Sequence, residues 1–201
     1  MQTMLRCWSI VPVIALAALM SGCAGTISNM REVPPGSAIT APEPGKAVVV
    51  FTRTSGFGAA IQSSVFEVRN NRPALIGILA AKTKVAYKAE PGNYLFMVLG
   101  ENADFLIADL QPDKTYYVDV VPRMGLWKAR FSLEPKRRLD LDTPDFKSSL
   151  DECRWVEKTP ASDNWALQNM ASIQSKRADY YPDWQQKPPA EKPQLLAEDG
   201  R

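Results

Sequence analysis

Between Ala47 and Leu133 the chain falls into eight short apolar runs with no helical stretch between them, and this succession constrains the fold more than any other feature. The runs are 47–51, 64–69, 74–79, 83–88, 94–99, 104–110, 115–121 and 126–133. Turn-forming residues separate them, among them Ser55-Gly56, Asn70-Asn71-Arg72-Pro73, Glu90-Pro91-Gly92-Asn93, Gln111-Pro112-Asp113-Lys114 and Pro122-Arg123-Met124-Gly125. Short strands punctuated about every 8 to 12 residues predict a mainly β fold, an antiparallel β-sandwich of about eight short strands or a barrel. Within the runs, Val65, Glu67 and Arg69 alternate with Phe66 and Val68. In the last run Trp127, Ala129, Phe131 and Leu133 share one face, so period-two burial accounts for Trp127 better than a sugar-stacking role does. The run Tyr94 to Leu99 is apolar on both faces and predicts a central strand. Before it, Pro91 presets φ and Gly92 supplies a positive φ, the requirements of a type II turn.

The N-terminal flank carries an address. Leu19-Met20-Ser21-Gly22-Cys23 places small residues directly before a cysteine, the layout of a bacterial lipobox, with Met20 where leucine is usual. Arg6 is the only charge before Cys23, and Trp8 to Met20 is an uncharged apolar stretch of about 13 residues, shorter than the about 20 needed to span a bilayer. Pro12 would also kink a helix there. Residues 1–22 are therefore expected to be a lipoprotein signal peptide, and Cys23 the lipid-attachment residue and first residue of the mature chain. Residues 23–46 contain Pro34, Pro35, Gly36, Pro42, Pro44 and Gly45 and read as a Pro-rich tether holding the domain off the lipid surface.

Composition excludes several kinds of chemistry. The chain has no histidine, which removes the usual general base near neutral pH and the commonest transition-metal ligand. Lys and Arg total 24 against 22 Asp and Glu, a balance that implies no nucleic-acid partner, and Arg137-Arg138 is too short for a basic patch. Cleavage would remove Cys7 and lipidation would occupy Cys23, leaving Cys153 without an internal disulfide partner. Burial beside Trp155 as a small hydrophobe explains it better than an intermolecular bridge.

The candidates for ligand chemistry are thin. Asp140, Asp142 and Asp145 form a D-x-D-x-x-D run with hard oxygen ligands, but without the loop length, central glycine and terminal glutamate of an EF-hand; a solvated connector is the simpler reading. Ser55-Gly56-Phe57-Gly58 lacks the lysine and following helix of a phosphate loop, and is expected to be a flexible loop with Phe57 as an exposed apolar contact. No catalytic residue, cofactor or metal ion is expected.

Beyond Glu134 the pattern turns helical. Residues 144–153 predict a short helix with Phe146 and Leu150 four apart. Thr159-Pro160 supplies an N-cap and first position for a helix running to about Tyr181, where Pro182 stops it. Ala166, Met170, Ile173 and Tyr180 make its stripe, and Trp165, Tyr180, Tyr181 and Trp184 cluster around it. The expected domains are 47–134 as sandwich, 135–182 as a helical appendage packed on it, and 183–201 as a disordered tail.

Together the lipobox, the Pro-rich tether, Val50-Phe51-Thr52-Arg53, Val65-Phe66-Glu67-Val68, Ile76-Gly77, Pro91-Gly92-Asn93-Tyr94 and Lys114-Thr115-Tyr116-Tyr117-Val118 resemble an uncharacterised bacterial lipoprotein family with a PEGA-like all-β domain of unknown function. The resemblance covers roughly residues 46–134 and implies an extracytoplasmic β domain with no catalytic residues to transfer. The family commonly has an Asp-Gly-type turn where this chain has Asn70 to Pro73. The expectation is a lipid-anchored, non-enzymatic binding or scaffolding module of the cell envelope. It would be attached to the outer membrane through Cys23, face the periplasm and meet an envelope protein partner. The alternative is a periplasmic ligand-binding protein or a carboxylate-dependent hydrolase, which would need two carboxylates converging in a concave pocket with raised pKa values.

Overall fold

The structure is a computed structural model that describes residues 27–34, 36–124 and 130–201. Cys23 and the rest of the expected lipobox, Pro35 and Trp127 lie outside the described residues.

All eight expected runs contain strand: β2 (Ala47–Arg53), β3 (Ser63–Arg69), β4 (Arg72–Leu79), β5 (Thr83–Ala89), β6 (Gly92–Leu99), β7 (Ala103–Leu110), β8 (Lys114–Arg123) and β9 (Arg130–Pro135). Three more come from the flanks: β1 (Met30–Glu32), β10 (Arg154–Lys158) and β11 (Gln194–Leu195). They build two sheets, ordered β1-β10-β5-β2-β8-β9 and β11-β7-β6-β3-β4, in an open sandwich with helices at the C-terminal side. The expected sandwich is present, but its sheets are mixed. β2 runs parallel to β8, β10 to β5 and β11 to β7, while the hairpin-linked pairs are antiparallel.

Alternation explains the layering. From β2, Ala47, Val49 and Phe51 point into the main core, while Val48 and Val50 join Tyr117, Leu141 and Phe146 in a second cluster. That cluster lies under α1 (Pro144–Asp151), which Thr143 caps by accepting a hydrogen bond from the Phe146 N–H. β6 is central in its sheet, between β7 and β3, as its two apolar faces require.

Two turns rely on positive φ. Asn70 and Asn71 adopt φ of 50° and 63°, the left-handed pair of a two-residue hairpin, so Arg69 pairs directly with Arg72. Asn70-Asn71 therefore makes this turn without glycine, and Pro73 belongs to the outer strand β4, where no ladder donor is needed. Gly92 has the expected positive φ, but at 138° it is well beyond the about +80° of a type II turn, and the bend carries the chain from β5 in one sheet to β6 in the other.

Three expectations for the flanks are corrected. The segment read as a tether enters the fold by Met30, which is buried and paired through β1 with β10. Met30, the partly buried Ile27 and a three-residue ladder anchor a stretch whose composition is otherwise that of a linker.

The expected single helix is two, α2 (Pro160–Gln168) and α3 (Met170–Gln186), hinged at Asn169. Thr159 and Ser162 form the capping box that Thr159-Pro160 announces. Pro182 lies inside α3 rather than ending it. Tyr181 and Trp184 on either side pack edge-on and tilted against Phe105 of β7, with ring centroids 5.0 and 5.7 Å away, and this packing outweighs the lost backbone bond. The helices thus lie on the sandwich. Ala166 and Ile173 of the expected stripe are buried, whereas Tyr180 is exposed and Trp184 takes its place.

Residues 183–201 are packed rather than disordered. Leu195 is 1% exposed, and Gly200 lies so close to Tyr116 that a Cβ would stand 2.7 Å from its ring. Arg201 exchanges both backbone hydrogen bonds with Thr115. Two anchors and a backbone ladder suffice where composition predicts a loose tail.

Candidate functional site

The polar interior is concentrated where β2 ends. Arg53 has no exposed surface, and its guanidinium is held by backbone carbonyls. Nη1 donates to Ile61 and to Leu79, the latter at 3.3 Å, and Nη2 donates to Phe57 at 3.2 Å and Gly58 at 2.8 Å. The Phe131 ring covers it at 4.9 Å. None of these partners is a carboxylate, so burial pushes its pKa down to about 10, which still leaves it cationic at neutral pH.

The loop expected to be flexible is therefore pinned from inside. Its carbonyls face a cation, the reverse of an anion cradle, and the N–H groups of Phe57 and Ile61 are engaged with Ser55 Oγ and the Gly58 carbonyl. Phe57 does present its side chain outward, at 55% exposure, and Ile61 joins it at 44%. Arg53 was visible in the sequence only as a charge ending a buried strand. A charged residue closing an apolar run can as well be the first solvated position.

Asp119 of β8 is the second buried charge. It accepts from Thr52 Oγ1 at 3.0 Å, from the Thr54 N–H at 3.2 Å and from Thr54 Oγ1 at 2.8 Å, with Lys136 Nζ 3.8 Å away. A small cleft of about 260 Å³ joins it to Asp140 and Asp145. The D-x-D-x-x-D residues do not converge. Asp140 accepts from the Arg137 N–H, Asp142 pairs with Arg138 and Lys147, and Asp145 sits in the first turn of α1. The Arg138 guanidinium holds the Asp142 carboxyl below the usual carboxylate range. Among the described residues no set of three carboxylate or cysteine ligands could hold a metal ion.

Arg137 and Arg138 serve the fold rather than a surface patch: Arg137 clamps the C-terminal segment through Asp199 at 2.7 Å and the Gln194 carbonyl at 2.9 Å. Cys153 is a free, buried thiol, donating to the Ser149 carbonyl at 3.3 Å. Burial pushes it up to about 11, so it stays protonated. Neighbouring Lys84 caps the Leu150 carbonyl at 2.6 Å and lies over the Trp155 ring at 4.8 Å.

Two other clefts differ in character. An apolar one of about 220 Å³ runs between Val33, Ile39, Ile76, Val85 and Trp155. A polar one of about 520 Å³ gathers Asp104, Glu134 and Glu191 with Arg123, Lys187 and Lys192. In the polar cleft burial raises the Asp104 pKa, an effect partly offset by the N–H groups of Leu133 and Phe105. Glu134 is paired with Arg123 instead. Of the three carboxylates in the cleft, Asp104 is thus shifted by burial and Glu134 is paired with an arginine. None of the described helices is long and apolar enough to cross a membrane. No family model and no curated protein matches this chain.

Proposed function

We propose that this chain is a lipid-anchored lipoprotein of the cell envelope, attached to the outer membrane through Cys23 and facing the periplasm, where its β domain acts as a non-enzymatic binding or scaffolding module. The observation that carries the reading is Leu19-Met20-Ser21-Gly22-Cys23 behind an uncharged apolar stretch too short to span a bilayer. The resemblance to an uncharacterised PEGA-like lipoprotein family points the same way, as does Ala24, since aspartate after the lipidated cysteine is the usual signal for inner-membrane retention. The non-enzymatic part is supported by the use of two of the buried charges: the terminal nitrogens of Arg53 are engaged by backbone carbonyls and Asp119 by two threonines.

The test is Cys23→Ser in cells fed labelled palmitate. The variant is expected to lose the label and accumulate as uncleaved precursor, because a hydroxyl is a far weaker nucleophile than a thiolate. A mature N-terminus at any residue other than Cys23 would refute the proposal. Crosslinking in cells with identification of the captured proteins then tests for the envelope partner.

A further inference from the structure

The first described residues bring the anchor end of the chain to a particular face of the domain. Ser28 Oγ donates to Gln62 Oε1 at 2.7 Å, and Ile27 packs against the main core. Cys23 precedes Ile27 by only four residues, which reach at most about 14 Å when fully extended. A lipid on Cys23 therefore cannot stand far from Gln62, and the face around Gln62 is the one turned to whatever holds the lipid.

That face has the chemistry of an interfacial contact. Gln62 closes the loop pinned by Arg53, and Thr54 to Gln62 contains no charged side chain. Its two large apolar residues, Phe57 and Ile61, are the exposed ones. Nor is there a charge between Cys23 and Asn29. Beside the loop, Ile61 and Gln62 share a cleft with the half-buried Trp165 and with Lys176, and no carboxylate lines it. Uncharged apolar tips with a tryptophan and a lysine at their border suit the boundary between headgroups and acyl chains. The Arg53 carbonyl cage holds the tips out without local unfolding. Because the anchor is so close, even a weak apolar contact is made at high effective concentration.

We infer that the Phe57–Ile61 loop docks into the surface of the bilayer that carries the Cys23 lipid, so that the domain lies against the membrane in one orientation instead of hanging from a long tether. This rests on the lipoprotein reading of Cys23.

The test uses the full acylated mature chain in vesicles of phosphatidylethanolamine and phosphatidylglycerol. Phe57→Cys, Ile61→Cys and Pro112→Cys, each in a Cys153→Ala background, receive an environment-sensitive fluorophore. Pro112 is a control beyond the opposite end of β2, since Asp113 bonds to Lys46 and Lys114 pairs with Ala47. Labels at 57 and 61 should shift to the blue, resist aqueous iodide and respond to a bilayer-embedded quencher, while the label at 112 stays in water. An acylated, vesicle-bound chain whose three labels behave alike overturns the inference and leaves the anchor standing. A chain whose Cys23 carries no lipid by mass removes the anchor reading and this inference together. A blue shift that appears in a lipid-free Cys23→Ser chain expressed without residues 1–22 and grows with protein concentration assigns the patch to a second copy, and overturns it as well.

Discussion

The strands from β2 to β9 and the segments that flank them are held by different means. In the first region each strand contributes several buried side chains: all seven residues of β2 are buried, and Phe66, Phe96, Leu106 and Val118 have no exposed surface. In the flanks β1, β10 and β11 have three, five and two residues, and each offers one buried anchor: Met30, Val156 and Leu195. The contrast is between a core that can nucleate on its own hairpins and edges that form only on a sheet already present. Yet the flanks are not ornaments, because β10 lies between β1 and β5, and α3 covers Phe105.

The strongest way to break this comparison is a chain ending at Glu134. It loses β10, β11 and all three α-helices, and leaves β5 and β7 with open edges. It is expected to unfold at a markedly lower temperature than the full mature chain and to bind an apolar dye. Equal melting temperatures would make the C-terminal third an independent arm.

Arg53→Met tests the centre where it depends on a charge. It removes the guanidinium donors from the carbonyls of Phe57, Gly58, Ile61 and Leu79, and is expected to cost about 3 kcal/mol in denaturant titrations. Because three of the four lie in one loop, rapid proteolysis between residues 55 and 61 should accompany the loss.

Gly92→Val probes a turn inside the central region. Nothing lies within 4 Å of an added Cβ, so the whole effect comes from placing a β-branched residue at φ of 138°. About 1 to 3 kcal/mol is expected. A change under about 0.5 kcal/mol would mean that the turn relaxes.

The smallest effect is electrostatic. Burial holds Asp104 above the usual carboxylate range, so the folded state binds its proton more tightly than the unfolded chain does. Its contribution to stability is complete below the ordinary carboxylate pKa of about 4 and is lost as pH rises through the raised value. Asp104→Asn keeps an acceptor for the Leu133 N–H. It should flatten the pH dependence of stability above about pH 4, with neutral-pH stability unchanged or slightly raised. A fall in stability at neutral pH would mean that the charge itself is needed.

What the sequence by itself determined is what local chemistry controls. Short apolar runs bounded by turn residues marked all eight central strands, Pro91-Gly92 and Thr159-Pro160 marked a bend and a helix start, and the absence of histidine narrowed the chemistry. Each of these depends on the φ or face preference of residues a few positions apart. Only the tertiary structure decided that β2 pairs in parallel with β8, more than sixty residues away, that β10 and β11 add to edges left open, and that Arg53 turns inward. A strand of two to five residues is too short to display a period, and its partner is whichever edge the rest of the fold leaves unpaired. Arg53 looks like a solvated strand end until the loop after it supplies the carbonyls that replace water.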